Sequence, residues 1–112
     1  MFLIGDNIRN FRLMRNYSQK KLAESLNVSI GTIANWENNS NSPNAYFIQA
    51  LCYELGISPN VLFGWEKSEE LEAFFIEQEE NLVKIEELTK EREALDKRIK
   101  AYQAKLTSNR KQ

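Results

Sequence analysis

The sequence predicts an all-α protein, with five short helices in residues 1–65 and one long helix in residues 66–112. Three observations carry that reading. Apolar residues recur three and four positions apart in short segments that open at Asp, Ser or Pro and close at Asn or Gly. All four glycines (Gly5, Gly31, Gly56, Gly64) and both prolines (Pro43, Pro59) lie within the first 64 residues. Beyond Trp65 neither residue type occurs, and the apolar positions shift to a seven-residue repeat.

The first helix spans about residues 6–16, with Asp6 as N-cap and Ile8, Phe11, Leu13 and Met14 at helical spacing. Ser18 caps a second, Gln19 to Leu26, whose Leu22, Ala23 and Leu26 share an apolar face. That helix stops at Asn27, which tolerates a left-handed conformation. Ser29 caps a third helix, Ile30 to Glu37, with Ile33 and Trp36 inward and Gly31, Thr32 and Asn35 outward. Residues 38–42 are loop by composition. Pro43 suits the first turn of a fourth helix carrying Phe47, Ile48, Leu51 and Leu55, closed by Gly56. Ser58-Pro59 starts a fifth, which packs Val61, Leu62 and Phe63 before Gly64. Trp36 and Cys52 read as core residues.

Composition removes several function classes. One cysteine forms no internal disulfide, and with no histidine the chain lacks material for imidazole-assisted nucleophiles or Cys/His metal sites. Clustered carboxylates such as Glu69-Glu70-Glu72 and Glu77-Glu79-Glu80 read as a solvated helix face, so no enzyme, metal or cofactor is expected. The opening Met1-Phe2-Leu3-Ile4 is too brief for a signal peptide, and no stretch approaches the roughly 20 apolar residues of a membrane span. A soluble, cytoplasmic protein with no membrane partner is expected. Residues 1–65 hold five cations against four anions and residues 66–112 ten against twelve, a near-neutral head and an acidic tail.

Two short helices joined by a three- or four-residue turn, the second exposing small polar residues, is a layout that enters a DNA major groove. Ser18-Gln19, Leu22-Ala23-Glu24, Val28-Ser29, Thr32-Ile33, Trp36-Glu37, Pro43 and Leu51 through Leu55-Gly56-Ile57-Ser58 resemble the lambda-repressor-like (Cro/XRE-type) helix-turn-helix family over roughly residues 4–64. The resemblance implies a five-helix domain of that type and a bacterial or phage source. It implies that Gln19 bonds a DNA phosphate, that Ile30, Gly31, Thr32 and Asn35 face base edges or nearby phosphates, and that Asn38 and Asn39 sit near the backbone. Ser18, Lys20 and Ser29 belong to the same expected DNA-binding set, and Arg12 with Glu37 to an ion pair that props the reading helix on the first. Arg9, Arg15 and Lys21 are further candidates for phosphate attraction. Asn pairs with adenine N6 and N7, and Thr and Ile methyls touch the thymine methyl, so A·T-containing half-sites are expected. The sequence departs from the family pattern in two places: Asn39 stands where Gly is common, and the reading helix has no Arg or Lys.

In the tail, a heptad starting at Leu71 puts Leu71, Gln78, Ile85, Arg92, Ile99 and Leu106 at a, and Phe74, Asn81, Leu88, Leu95 and Tyr102 at d. Eight of these 11 are apolar, enough to treat the stripe as real. A helix of about 40 residues, roughly 60 Å long, with such a stripe wants a partner, so a C-terminal coiled coil is expected. The alternative is an amphipathic helix folding back on its own head, since Phe75 and Leu82 widen the stripe at e and Phe74-Phe75-Ile76 suit docking there, with the distal half still needing a mate. Glu70, Glu77, Lys84, Glu91, Arg98 and Lys105 at g suit an antiparallel pair, whereas two heads on half-sites about 34 Å apart are simply held by a parallel stalk, so orientation stays open.

The expectation is a helix-turn-helix domain (1–65) and a coiled-coil oligomerisation helix (66–112) in a sequence-specific regulator. It would be a dimeric repressor reading a two-fold operator in double-stranded DNA through residues 29–39. Leu71, Phe74, Ile85, Leu88, Leu95, Ile99, Tyr102 and Leu106 would form a homodimer or higher homo-oligomer. No ligand-sensing domain is visible, so a regulatory protein is the expected route for any signal. The rival is a protein-interaction module of antitoxin or adaptor type, with DNA binding secondary.

Overall fold

The computed structural model describes residues 3–110 and, among them, contains six helices and no strand. They are α1 (Ile4–Met14), α2 (Gln19–Leu26), α3 (Ile30–Glu37), α4 (Ala45–Leu55), α5 (Pro59–Leu62) and α6 (Glu69–Arg110). The chain divides into two compact units at Phe74/Phe75.

In the first unit, Ile8, Phe11, Leu22, Ala23, Ile33, Trp36, Leu51, Cys52, Leu55 and Leu62 form one buried core drawn from α1 to α5. Trp36 lies against Phe47 with ring centroids 5.2 Å apart. Each element is too short to hold helical form in isolation, so the shared apolar face supplies most of the stability. Local chemistry then sets where each helix begins and ends.

Both boundary signals repeat along the head. Ser18, Ser29, Asn44, Ser58 and Ser68 each accept, through the side-chain oxygen, the backbone N–H three residues on. Every such bond satisfies one of the donors that a helix start leaves without an intrahelical partner. At the other ends, Asn16, Asn27, Asn39, Gly56 and Gly64 take positive φ, between 55° and 77°. The residue after each donates back across the helix end: Tyr17 to Arg12, Val28 to Ala23, Ser40 to Asn35, Ile57 to Cys52 and Trp65 to Asn60. That is the Schellman closure, with asparagine serving where glycine is usual.

Several sequence expectations move. α1 begins at Ile4, not at an Asp6 cap, and its N-cap residue Leu3 offers no side-chain acceptor. The Gly5 N–H instead donates to Asn39 Oδ1, 2.9 Å away and 34 residues along the chain. α1 also stops earlier than residue 16, because Asn16 has already turned left-handed. Pro43 is buried ahead of α4 rather than in its first turn, and Asn44 is the cap. α6 starts at Glu69, capped by Ser68 and with Glu69, Glu70 and Glu72 in its first turn, where carboxylates suit the positive end of the helix dipole.

The second unit is the remainder of α6, without Gly or Pro to bend it. Every described side chain from Phe75 to Asn109 is exposed. No helix among the described residues is long and apolar enough to cross a membrane.

Candidate nucleic-acid interface

α3 is two-sided. Ile33, Trp36 and Glu37 are buried, while Ile30, Gly31, Asn35 and Asn38 are exposed and Thr32 is half-buried. The outward residues are one turn apart, so Gly31 and Asn35 share a stripe with Ile30 and Asn38 at its edges. An ideal Cβ at Gly31 meets nothing nearer than Ser29 Oγ at 3.8 Å, so packing does not require glycine there. Ser29 Oγ accepts from Thr32 N at 3.1 Å and lies 2.9 Å from Thr32 Oγ1, which holds the threonine hydroxyl at the N-terminus of α3.

Behind this face a polar cluster joins three helices. Arg12 on α1 donates from Nε to Glu37 Oε2 at 2.6 Å and from Nη2 to Oε1 at 3.0 Å, a bidentate pair. Its Nη1 donates to the Tyr17 carbonyl at 2.7 Å. Gln19 on α2 donates from Nε2 to Glu37 Oε1 at 3.2 Å. Arg12 and Glu37 are 7% and 8% exposed, so the pair is a strut in the protein interior. The Gln19 amide is tied to Glu37 through one N–H, and Nε2 carries a second hydrogen that remains for an outside acceptor.

Between α1, α2 and α3 lies an open hollow of about 400 Å³ lined by Arg9, Arg12, Gln19, Ala34, Glu37 and Asn38. Arg9 is exposed there. Lys20 is exposed on α2, as is Lys21, whose Nζ sits 4.3 Å from the centroid of the Tyr17 ring. Ser18 serves as the α2 cap. Arg15 is spent elsewhere: Nε donates to the Leu55 carbonyl at the end of α4, and Nη1 pairs with Glu70 Oε1 at 2.5 Å. That leaves Arg9, Lys20 and Lys21 as the head cations outside any described ion pair.

The loop after α3 is built into the frame. Asn38 Oδ1 accepts from Ser40 N at 2.9 Å, and Asn39, at φ 64°, reaches Gly5 with its side chain. A Cβ on Gly5 would run into the Trp36 carbonyl oxygen and come within 2.5 Å of Asn39 Oδ1. Sequence reading missed this link, because neither Asn39 nor Gly5 marks it locally. The available signal is Asn39 itself, standing where Gly is common in the family pattern.

A helix-turn-helix family profile matches residues 8–62. Among solved structures, the P22 c2 repressor protein, in complex with synthetic operator 9T in the presence of Tl+, superposes with a TM-score of 0.53 at 32% identity. The match covers 56% of this chain and 96% of that one. The chain belongs to the lambda-repressor-like (Cro/XRE-type) helix-turn-helix family. No curated protein matches it. Within this helix-turn-helix domain α2 and α3 are the two helices of the motif, and the turn between them is Asn27-Val28-Ser29.

The tail residues separate into two sets. Leu71 is half-buried against the head core and Phe74 is half-buried in the same unit. Ile85, Leu88, Leu95, Ile99, Tyr102 and Leu106 are exposed on α6. Cys52 is buried in the core, and loss of solvation pushes its thiol pKa up. Among the described residues no group of three or more His, Cys, Asp or Glu is placed to hold a metal ion.

Proposed function

We propose that this protein is a cytoplasmic, sequence-specific DNA-binding transcriptional regulator, acting as a dimeric repressor on a two-fold operator. The observation that carries the reading is the two-sided α3: anchored by Ile33, Trp36 and Glu37, it leaves Ile30, Gly31 and Asn35 exposed, with Thr32 beside them. Likeness to an operator-bound repressor supports the same use of that face.

Residues 29–39 would enter the major groove, with Asn35 pairing an adenine and Thr32 and Ile30 meeting thymine methyls. Ser18, Gln19, Lys20, Asn38 and Asn39 would lie along the phosphates, with Arg9 and the second Gln19 N–H directed at one of them. Two copies, joined through the exposed face of α6, would occlude a promoter.

Affinity for double-stranded DNA measured against salt tests this. With three unpaired cations per head, six in a dimer, log K should fall against log salt with a slope of about −5. Affinity should also drop when the chain is cut after Phe74. Weak, salt-insensitive association unaffected by that cut would instead favour a protein-interaction module of antitoxin or adaptor type, a reading to which the exposed α6 stripe lends support.

A further inference from the structure

We infer that α6 pairs with a second copy of itself in antiparallel orientation, in the register that sets Asn81 opposite the partner's Arg92. This rests on the dimeric reading above and adds its geometry. Ile85, Leu88, Leu95 and Ile99 are each more than half exposed along a stripe with no described cover. The stripe is interrupted by three polar residues, Gln78, Asn81 and Arg92, and these decide how two copies fit.

A parallel, in-register pair stacks like on like. Arg92 would face Arg92 across the seam, and Glu91 at g would meet Asp96 at the partner's e position, once on each side. Both contacts set like charges together. In the antiparallel register, Ile85 faces the partner's Leu88 around the two-fold axis. One layer further out Asn81 faces the partner's Arg92, and Gln78 faces the partner's Leu95. The guanidinium then meets an amide oxygen instead of a second guanidinium.

The flanking charges agree with that register. Glu77 faces the partner's Arg98 and Lys84 the partner's Glu91, each occurring twice by symmetry. Shifting either way by one heptad sets Asn81 against an apolar residue and leaves Arg92 facing Leu88 or Phe74. Glu70, which the same charge pattern would match with Lys105, is already held by Arg15, so the charge match starts at Glu77.

The register also fixes a length. With its two-fold axis between Glu86 and Glu87, the two Phe75 residues, where the second unit starts, lie about 35 Å apart along the stalk at a rise of about 1.5 Å per residue.

Single-cysteine variants of the full chain, built on Cys52→Ala, test orientation separately from dimerisation. Mixing Asn81→Cys with Arg92→Cys should give a disulfide-linked pair, while neither variant alone should, because like positions would be about 16 Å apart along the axis. Nitroxides on Lys97→Cys, which leaves the seam intact, should lie at least about 32 Å apart, against no more than the roughly 20–24 Å width of two helices in a parallel pair. Sedimentation velocity establishes whether a dimer is present. A dimer in which Arg92→Cys links to itself, or in which the Lys97 labels sit within two helix widths, overturns the orientation and leaves the dimer standing. A monomer at tens of micromolar overturns both.

Discussion

Replacing Arg12 with Met tests the strut that supports α3. The guanidinium makes three hydrogen bonds, two to Glu37 and one to the Tyr17 carbonyl, at a site where both charged residues are under 10% exposed. Arg12→Met leaves a buried carboxylate with Gln19 as its remaining described donor, a loss of about 3–5 kcal/mol. A head of this size holds about 4–11 kcal/mol in total, so the variant should sit close to its unfolding midpoint in mild denaturant. The double variant Arg12→Met/Glu37→Met removes both charges and keeps the hydrophobic volume. Its remaining deficits are the unpaired Tyr17 carbonyl, about 1–3 kcal/mol, and the lost acceptor of the half-buried Gln19 amide, so it should still be more stable than Arg12→Met. Urea unfolding followed by the fluorescence of Trp36, which is buried in the head core, reads the difference. An Arg12→Met loss below about 1 kcal/mol, or a double variant worse than either single one, would refute the reasoning and return Arg12 to the solvent side.

Two further substitutions separate the frame from the exposed side of α3. Asn39→Ala loses the acceptor for Gly5 N–H and puts alanine, which tolerates the left-handed region less well than asparagine, at positive φ, for a cost of about 2–4 kcal/mol in urea unfolding. Asn39→Gly loses only the hydrogen bond and should cost less; equal losses would show that backbone conformation there contributes nothing. Gly31→Ala meets open space inside a helix and should raise stability by about 0.5–1 kcal/mol. The same added methyl sits on the exposed face of α3, so DNA affinity should change while thermal unfolding improves; unchanged binding would remove Gly31 from the contact set.

The head was legible in the sequence because its boundaries are written locally. Ser18, Ser29 and Ser58 cap helices and Asn27 and Gly56 close them as the residue chemistry dictates. Expectation failed where the partner is distant in sequence. Asp6 looked like a cap, yet α1 takes its acceptor from Asn39, and a single window of sequence cannot show a bond across 34 residues. Arg15 and Glu70 looked like a free cation and a stalk charge, and tertiary packing joins them to each other. Leu71 fits the heptad by spacing, but the head core reaches it first. On α3, the inward and outward sides followed from helical period alone, whereas the engagement of Gln19 by Glu37 did not. The third asparagine closure, at Asn39, accounts for the departure from the glycine common there: the side chain performs a bond that glycine lacks.

The most direct measurement is selection of duplexes from a randomised pool by the full chain, followed by equilibrium binding of wild type and Asn35→Ala to the selected site. The expected result is a two-fold site with A·T pairs in each half, and a loss on Asn35→Ala of about 5- to 150-fold, the equivalent of about 1–3 kcal/mol for one bidentate base contact. A pool that yields no preferred sequence, or an Asn35→Ala variant that binds the selected site as tightly as wild type, would contradict the assignment of α3 as the reading helix.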